Sequence, residues 1–557
     1  MTYKLNNLKP VVYQILTRLF GNRSDAKIKH GTIAENGCGK MNDITSSVLR
    51  RIKQLGVTHV WYTGIIRHAT TTDYSDYGIP CQHHSVVKGR AGSPYAITDY
   101  YDVDPDLAVD VNRRQNEFHE LIARTHRAGL KLIIDFVPNH VAREYKSICK
   151  PSDIPDLGEN DDENCRFSQE NNFYYFPNEP FEPQFDLNRY SEFPAKATGN
   201  DCFTPHPSVN DWYETVKLNY GIDYFESESL HKTFSFIPPT WKRMLEILYF
   251  WASKGIDGFR CDMAEMVPLA FWQWAISELK KIYPHIIIIG EVYQPHLYHN
   301  FISAGFDWLY DKVGMYDSLR GIVEGHRHTE DITRQWQAVD DIAEHMLFFL
   351  ENHDEQRIAS DFFATDGIKA IPALMTMALM RTNPIMIYAG QEYGERGMDI
   401  EGFSGLDGRT TIFDYWSLAS LQHGYYNRRK LTTAEKNLEK KYKTILQLCN
   451  TSQAICRGRF FDLMYVNRHI SDYIYSFIRK EDAETILVVA NFSQAERHIS
   501  LFVPSHAFDY LNLSSGVCSA IDALSGKSQV ITLNPNESID LDVPAYFGLV
   551  LSLDKQH

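Results

Sequence analysis

Four apolar runs in this 557-residue chain each end on residues equipped for chemistry. The segment Gly258-Phe259-Arg260-Cys261-Asp262 sets a cation two residues before a carboxylate. Alternation along a strand sends positions i and i+2 to one face, so Arg260 and Asp262 are expected to point together. A nearby opposite charge lowers a carboxyl pKa, so Arg260 is expected to hold Asp262 ionised. An ionised, positioned carboxylate is what a covalent nucleophile at a sugar carbon requires. An isolated Arg-x-Asp is more often a structural ion pair, because ion-pair networks perturb pKa values too. The other three runs shift that balance. Residues 286–289, all isoleucine, lead into Gly290-Glu291; residues 346–350 lead into Glu351-Asn352-His353-Asp354; residues 131–137, with Asp135 inside them, lead into Pro138-Asn139-His140.

Continuous apolar runs of this length read as strands buried on both faces. Several parallel strands that deliver polar residues at their C-terminal ends are the pattern of an α/β protein of the (β/α)8 TIM-barrel type, whose active site lies at that face. Residues 11–15, 59–65 and 306–310 read as the first, second and sixth strands, and residues 44–55 and 435–448 carry apolar positions at helical spacing. From Val141 to about Phe236 the strand–helix period disappears into a stretch rich in Pro, Asn, Asp and aromatics. So long an irregular insert is usually functional and is expected to form a domain inserted after the third strand. After Arg457 the pattern turns to short alternating strands, such as 473–477 and 485–492, which reads as an antiparallel β-sandwich. The expected division is a barrel over 1–140 and 237–454, an inserted domain over 141–236 and a C-terminal sandwich over 455–557.

The segments ending in His140, Asp262, Tyr293 and Asp354 resemble, in order, the four signature segments of the α-amylase family of glycoside hydrolases. Residues 385–392 resemble the family's eighth strand, so the resemblance runs from Tyr13 to about Trp416. It implies retaining cleavage of a glycosidic bond by two carboxyls about 5–5.5 Å apart. On this resemblance Asp262 is the nucleophile and Glu291 the general acid/base, its pKa raised by an apolar setting and neighbouring carboxylates. Asp354 is the third carboxylate, which stabilises the oxocarbenium-like transition state. Tyr95 matches the ring that floors the subsite beside the scissile bond. His140 and His353 bond hydroxyls of the same sugar, and Asp135 supports Arg260.

The implied substrate is an α-1,4-glucan: starch, glycogen or maltodextrin. Ala96 follows Tyr95 where family members that clip terminal glucose carry Asp, so an open cleft and endo action are expected. Gln184 points the other way. It heads residues 184–188, which match a fifth signature with Phe185 in place of Pro, and a Gln there is more frequent among 1,6-glucosidases and trehalose-forming isomerases. A glucanotransferase, a trehalose-type isomerase or an oligo-1,6-glucosidase would share the same three carboxylates; an inactive sugar-binding subunit would be expected to have lost one. Asn139 and Asp186 match ligands of a structural calcium, whose preferred oxygen donors they supply. The family's Lys-His after the nucleophile is here Glu265 and Met266, of which Met266 still offers a backbone carbonyl. Gly64 stands where Pro is usual. No organic cofactor is implied.

A net charge of −15 argues against nucleic acid or an anionic membrane as partner. No apolar stretch reaches the length of a membrane span. Residues 1–7 carry no basic-then-apolar leader, and nine cysteines at irregular spacings include no CxxC pair, so a reduced, cytoplasmic protein is expected. Cys81, His83 and His84 lack matching partners for a metal, and the Gly-rich residues 21–39 read as an ordinary surface loop.

Overall fold

A computed structural model describes residues 8–225, 234, 236–400 and 406–555. Residues 1–7, on which the expectation of no leader rests, lie outside them. Eight strands close a barrel: β1 (Val11–Leu16), β2 (His59–Thr63), β3 (Lys131–Phe136), β4 (Gly258–Cys261), β5 (Ile287–Gly290), β6 (Trp308–Tyr310), β7 (Met346–Phe349) and β8 (Ile385–Tyr388). Each lies parallel to the next, and β8 returns to β1 with Val11 beside Ile385. The sixth strand is shorter than its apolar run, beginning at Trp308 rather than 306.

These strands read as unbroken apolar runs because both faces are buried. Inward residues Val12, Trp61, Ile133, Ile289, Tyr310, Leu347 and Met386 fill the barrel as one packed cluster. Outward residues such as Ile134, Phe259 and Ile288 join the main core with Trp251 and Trp272, carried on the helices Pro239–Ser253 and Leu269–Ile282. Helix Thr433–Thr451 starts with a reciprocal Thr432–Glu435 capping box. Gly64, just past β2, has φ +85°. Proline's φ is fixed near about −65°, so the family's usual residue cannot follow this backbone.

Between β3 and the helix Pro239–Ser253 the described chain is largely irregular. Its regular pieces are two short antiparallel ladders, His140–Ala142 with Thr215–Lys217 and Tyr175–Phe176 with Ala195–Lys196. Tyr174, Phe176, Phe181 and Tyr213 pack there with Phe167 and Phe203 into a small core, so many of the insert's aromatics are spent on packing. The first ladder matters most for function, because it begins at His140 and ends at Lys217.

The C-terminal strands are β9 (Arg459–Asp462), β10 (Ile474–Glu481), β11 (Glu484–Asn491), β12 (Arg497–Val503), β13 (Gly516–Asp522), β14 (Ser528–Leu533), β15 (Glu537–Val543) and β16 (Phe547–Lys555). A six-stranded antiparallel sheet in the order β9-β10-β11-β16-β13-β14 packs on the β12–β15 pair, and Leu487, Leu501, Leu541 and Leu551 share the core between them. Residues 21–39 differ from the expected surface loop. Asn22 and Asn36 are buried there, and their amides donate to the carbonyls of Trp416 and Tyr415, pinning the loop to the barrel.

Candidate active site

Arg260, fully buried on β4, collects the carboxyls delivered by three neighbouring strands. Its Nη1 lies 2.7 Å from Asp262 Oδ1 and 3.6 Å from Asp135 Oδ1, and its Nη2 lies 2.8 Å from Glu291 Oε2. Its Nε donates to Tyr310 Oη at 3.2 Å. The guanidinium carbon sits over the rings of Trp61 and Tyr95, 5.2 and 5.4 Å from their centroids.

Glu291 is held at both oxygens. The Met263 backbone N–H donates to Oε2 at 2.8 Å, and Tyr293 Oη–H donates to Oε1 at 2.5 Å. Met263 reaches that position with φ +45°, a left-handed conformation unfavourable for a residue with a Cβ, immediately after Asp262. Asp262 differs from Glu291 in one respect that bears on chemistry: its Oδ2 is buried without a hydrogen-bond partner.

Asp354 lies beyond β7 in a turn closed by the Asn352 side chain, whose Oδ1 accepts from the N–H groups of Asp354 and Glu355, each at 2.9 Å. His353 Nδ1 is 2.8 Å from Gln14 Nε2, and its Nε2 is 2.6 Å from Tyr95 Oη and 3.0 Å from Asp354 Oδ2. An amide nitrogen only donates, so Nδ1 accepts and Nε2 carries the proton. Burial, aided by the Arg260 charge, keeps this imidazole neutral, well below its usual pKa. His140 is likewise held neutral, pushed down to about 3 by burial and then by Lys217.

Burial dominates the carboxyls as well. It raises Asp262 well above the usual range, with Glu291 adding to the rise and Arg260 opposing it. Arg260, expected to hold Asp262 ionised, opposes that rise from 2.7 Å. Asp354 is raised to about 7 by burial and by Glu291; its side chain is 42% exposed, so solvent moderates that rise. Asp135, raised to about 7 by burial, keeps a hydrogen bond from Trp61 Nε1 at 3.0 Å.

Asp262, Glu291, Asp354, Tyr95, His140 and His353 line one cavity of about 360 Å³, together with Trp212, Tyr293 and Phe413. A larger cleft of about 650 Å³ lies between the barrel and the C-terminal domain. Its acids are already engaged, Asp340 by Arg381 and Asp462 by Thr333, Trp336 and Tyr475, so volume does not identify the chemistry.

Ala96 is buried with Ala69, Val87 and Ala142, and Gln184 donates to the His206 carbonyl at 3.4 Å; the cavity lining includes neither. Of the residues matched to calcium ligands, Asp186 is exposed, its carboxylate accepting from Asn188 N–H. Asn139 Oδ1 accepts instead from the Lys217 ammonium, which also donates to the Met266 carbonyl at 3.3 Å and pairs with Asp201 Oδ1 at 2.6 Å. A cation of this protein's own already holds those oxygens, so the residues present do not fit a calcium ion there.

Sequence reasoning missed Gln14, Trp61, Tyr293 and Tyr310. Gln14 left a signal, as the one amide inside the apolar strand β1. Tyr293 closes a signature segment with no role given to it, and Trp61 and Tyr310 read as ordinary core aromatics.

Residues 14–447 match the family model described as alpha amylase, catalytic domain. The chain is 25% identical over 393 residues to alpha-amylase MalA of Haloarcula japonica, covering 70% of this chain but only 44% of that longer protein. It is 20% identical over 554 residues to neopullulanase 2 of Thermoactinomyces vulgaris, covering 97% of this chain and 77% of that one. Among solved structures, the α-amylase of Geobacillus thermoleovorans in complex with acarbose superposes with a TM-score of 0.65 at 18% identity, covering 99% of each chain.

Proposed function

Since this chain belongs to the α-amylase family of glycoside hydrolases, we propose that it cleaves α-1,4-glucosidic bonds within starch, glycogen or maltodextrins, with retention at the anomeric carbon. The observation that carries the reading is the pairing of a free carboxyl oxygen, Asp262 Oδ2, with a Glu291 whose two oxygens are both oriented, on one guanidinium. Retaining cleavage needs that division of labour between two carboxyls.

Glu291 gives its proton to the leaving glycosidic oxygen while Asp262 Oδ2 bonds to the anomeric carbon, forming a glycosyl ester. Glu291, now ionised, takes a proton from water; the water oxygen attacks the same carbon and the Asp262 ester bond breaks. For this step the cluster carries its negative charge on Asp262, whose Oδ1 lies 2.7 Å from Arg260 Nη1, and the transferable proton on Glu291. Asp354, His353 and His140 line the cavity where sugar hydroxyls would bind, His353 Nε2 is 2.6 Å from Tyr95 Oη and 3.0 Å from Asp354 Oδ2, and the Tyr95 ring lies within 25° of parallel to His353. Endo action rests on the sequence: Ala96 stands where a cleft-closing Asp would, and its methyl packs in the core away from the cavity. Among the described residues, no helix is long and apolar enough to cross a membrane. The buried Cys261, Cys449 and Cys456 are free thiols, which fits the reducing cytoplasm.

Chromatographic product analysis tests this reading, with soluble starch, maltoheptaose, isomaltose and maltose as separate substrates and Asp262→Asn as control. A ladder of short maltooligosaccharides from starch, with isomaltose untouched, is expected. Products longer than the heptaose, or trehalose from maltose, would reassign the activity to transfer or isomerisation. Glucose from isomaltose would make 1,6-bonds the substrate.

A further inference from the structure

We propose that Lys217 is a built-in cation that replaces a structural calcium, so that the fold around the cleft needs no divalent ion. Lys217 lies at the end of the ladder strand Thr215–Lys217, and its side chain is 2% exposed. An ammonium has three N–H donors and no acceptor. All three find oxygens, each from a different part of the chain: Asn139 Oδ1 just past β3, the Met266 carbonyl in the loop after Asp262, and the Asp201 carboxylate of the insert.

These are the donor types a calcium ion takes, yet the geometry suits an ammonium. Calcium gathers six to eight oxygens at about 2.3–2.6 Å. The Met266 carbonyl stands 3.3 Å from Lys217 Nζ, which is hydrogen-bond spacing. A buried cation without an anion is costly, and Asp201 supplies one. A divalent ion added beside the fixed ammonium would meet a like charge, and its oxygens are already taken. The tie is placed to matter. Asn139 precedes His140, and Met266 is four residues past Asp262, so one side chain fastens the insert to two loops that carry cleft residues.

Metal analysis and thermal unfolding test the proposal on the full chain, with Lys217→Ala and Lys217→Met as variants. The wild-type protein, dialysed from calcium-containing buffer, is expected to retain far less than one calcium per chain and to unfold at the same temperature in EDTA and in calcium. Retention of one calcium per chain, or a lower midpoint in EDTA, would overturn the proposal without any variant. Lys217→Ala vacates the ammonium's place and leaves three oxygens facing it. Its midpoint is expected to fall by several degrees in EDTA and to recover in part with calcium. Lys217→Met fills the space with an uncharged chain, and its midpoint is expected to fall without recovery. A Lys217→Ala protein as stable as wild type in EDTA would also contradict the proposal. Because every readout is metal content or unfolding, the outcome is independent of which glucan the cleft accepts.

Discussion

Two buried clusters of this protein are built from the same residue types. In one, Asp99 and Asp102 meet Arg67 and Arg114. Asp102 takes a two-pronged contact from Arg114 at 2.7 and 2.9 Å. Asp99 accepts from Ser147 Oγ and from the N–H groups of Tyr101, Ile148 and Cys149, with Arg67 Nη2 at 3.3 Å. In the other, Arg260 is shared among Asp262, Glu291 and Asp135, and Asp262 Oδ2 has no hydrogen-bond partner. Ligand-like spacing is not what separates them: among the described residues Asp99, Asp102 and Cys149 are the group close enough to suggest a metal. Every carboxylate oxygen of the first cluster is engaged, leaving only Arg67 Nε among its charged groups without a hydrogen-bond partner, and the cluster holds the fold. The second keeps unused capacity, and unused capacity in a buried polar group asks for a function.

The difference can be broken by parallel substitutions. Asp262→Asn is expected to cut kcat by at least about 10⁴-fold while folding and sugar binding persist, as steady-state kinetics and calorimetry would show. Asp102→Asn is expected to cost about 3–5 kcal/mol of stability, because it leaves Arg114 under-compensated in the interior, while kcat per folded molecule stays near wild type. Loss of turnover in folded Asp102→Asn would erase the distinction. Glu291→Gln is expected to lower kcat on glucans by about 10²–10⁴-fold, and far less on an α-glucosyl fluoride, whose leaving group needs no proton. Equal losses on both substrates would deny Glu291 its acid role.

The electrostatics of the open cluster sharpen the comparison further. The Asp354 carboxyl is raised from an ordinary value to about 7. A carboxyl raised in the folded state stabilises the protein below its unfolded pKa and loses that contribution as pH rises through the folded one. Asp354→Asn should therefore gain in unfolding temperature relative to wild type between pH 5 and pH 8, modestly because solvent reaches the group; a gain that shrinks over that range would contradict the assignment. The smallest effect is expected from Gln14→Leu. Losing one hydrogen bond to His353, worth about 1 kcal/mol, should lower kcat/KM five- to tenfold, mostly through KM.

Much of this was legible in the sequence because barrel strands are short and buried on both faces, so each apolar run ends where its functional residues begin. Asp262, Glu291, His353 and Asp354 stand at those ends. Legibility failed where a residue's role depends on partners distant in the chain. Lys217 lies 78 residues from Asn139, and nothing in its neighbourhood marks it as that amide's partner. Ala96 sits beside Tyr95 in sequence, yet its methyl turns into the core. In sequence Arg260 reads as the partner of Asp262 with Asp135 in support, whereas the register of β4 and β5 adds Glu291 to the carboxyls it serves.

The central claim is that Asp262 Oδ2 forms a covalent bond to the sugar. Incubation with a fluorinated α-glycosyl fluoride that slows breakdown of the intermediate, followed by proteolysis and mass spectrometry, tests it most directly. The account predicts one fluoroglycosyl addition on the peptide containing Asp262, absent from Asp262→Asn. Addition at another carboxyl would contradict it, as would turnover of the same reagent with no adduct and an inverted anomeric product.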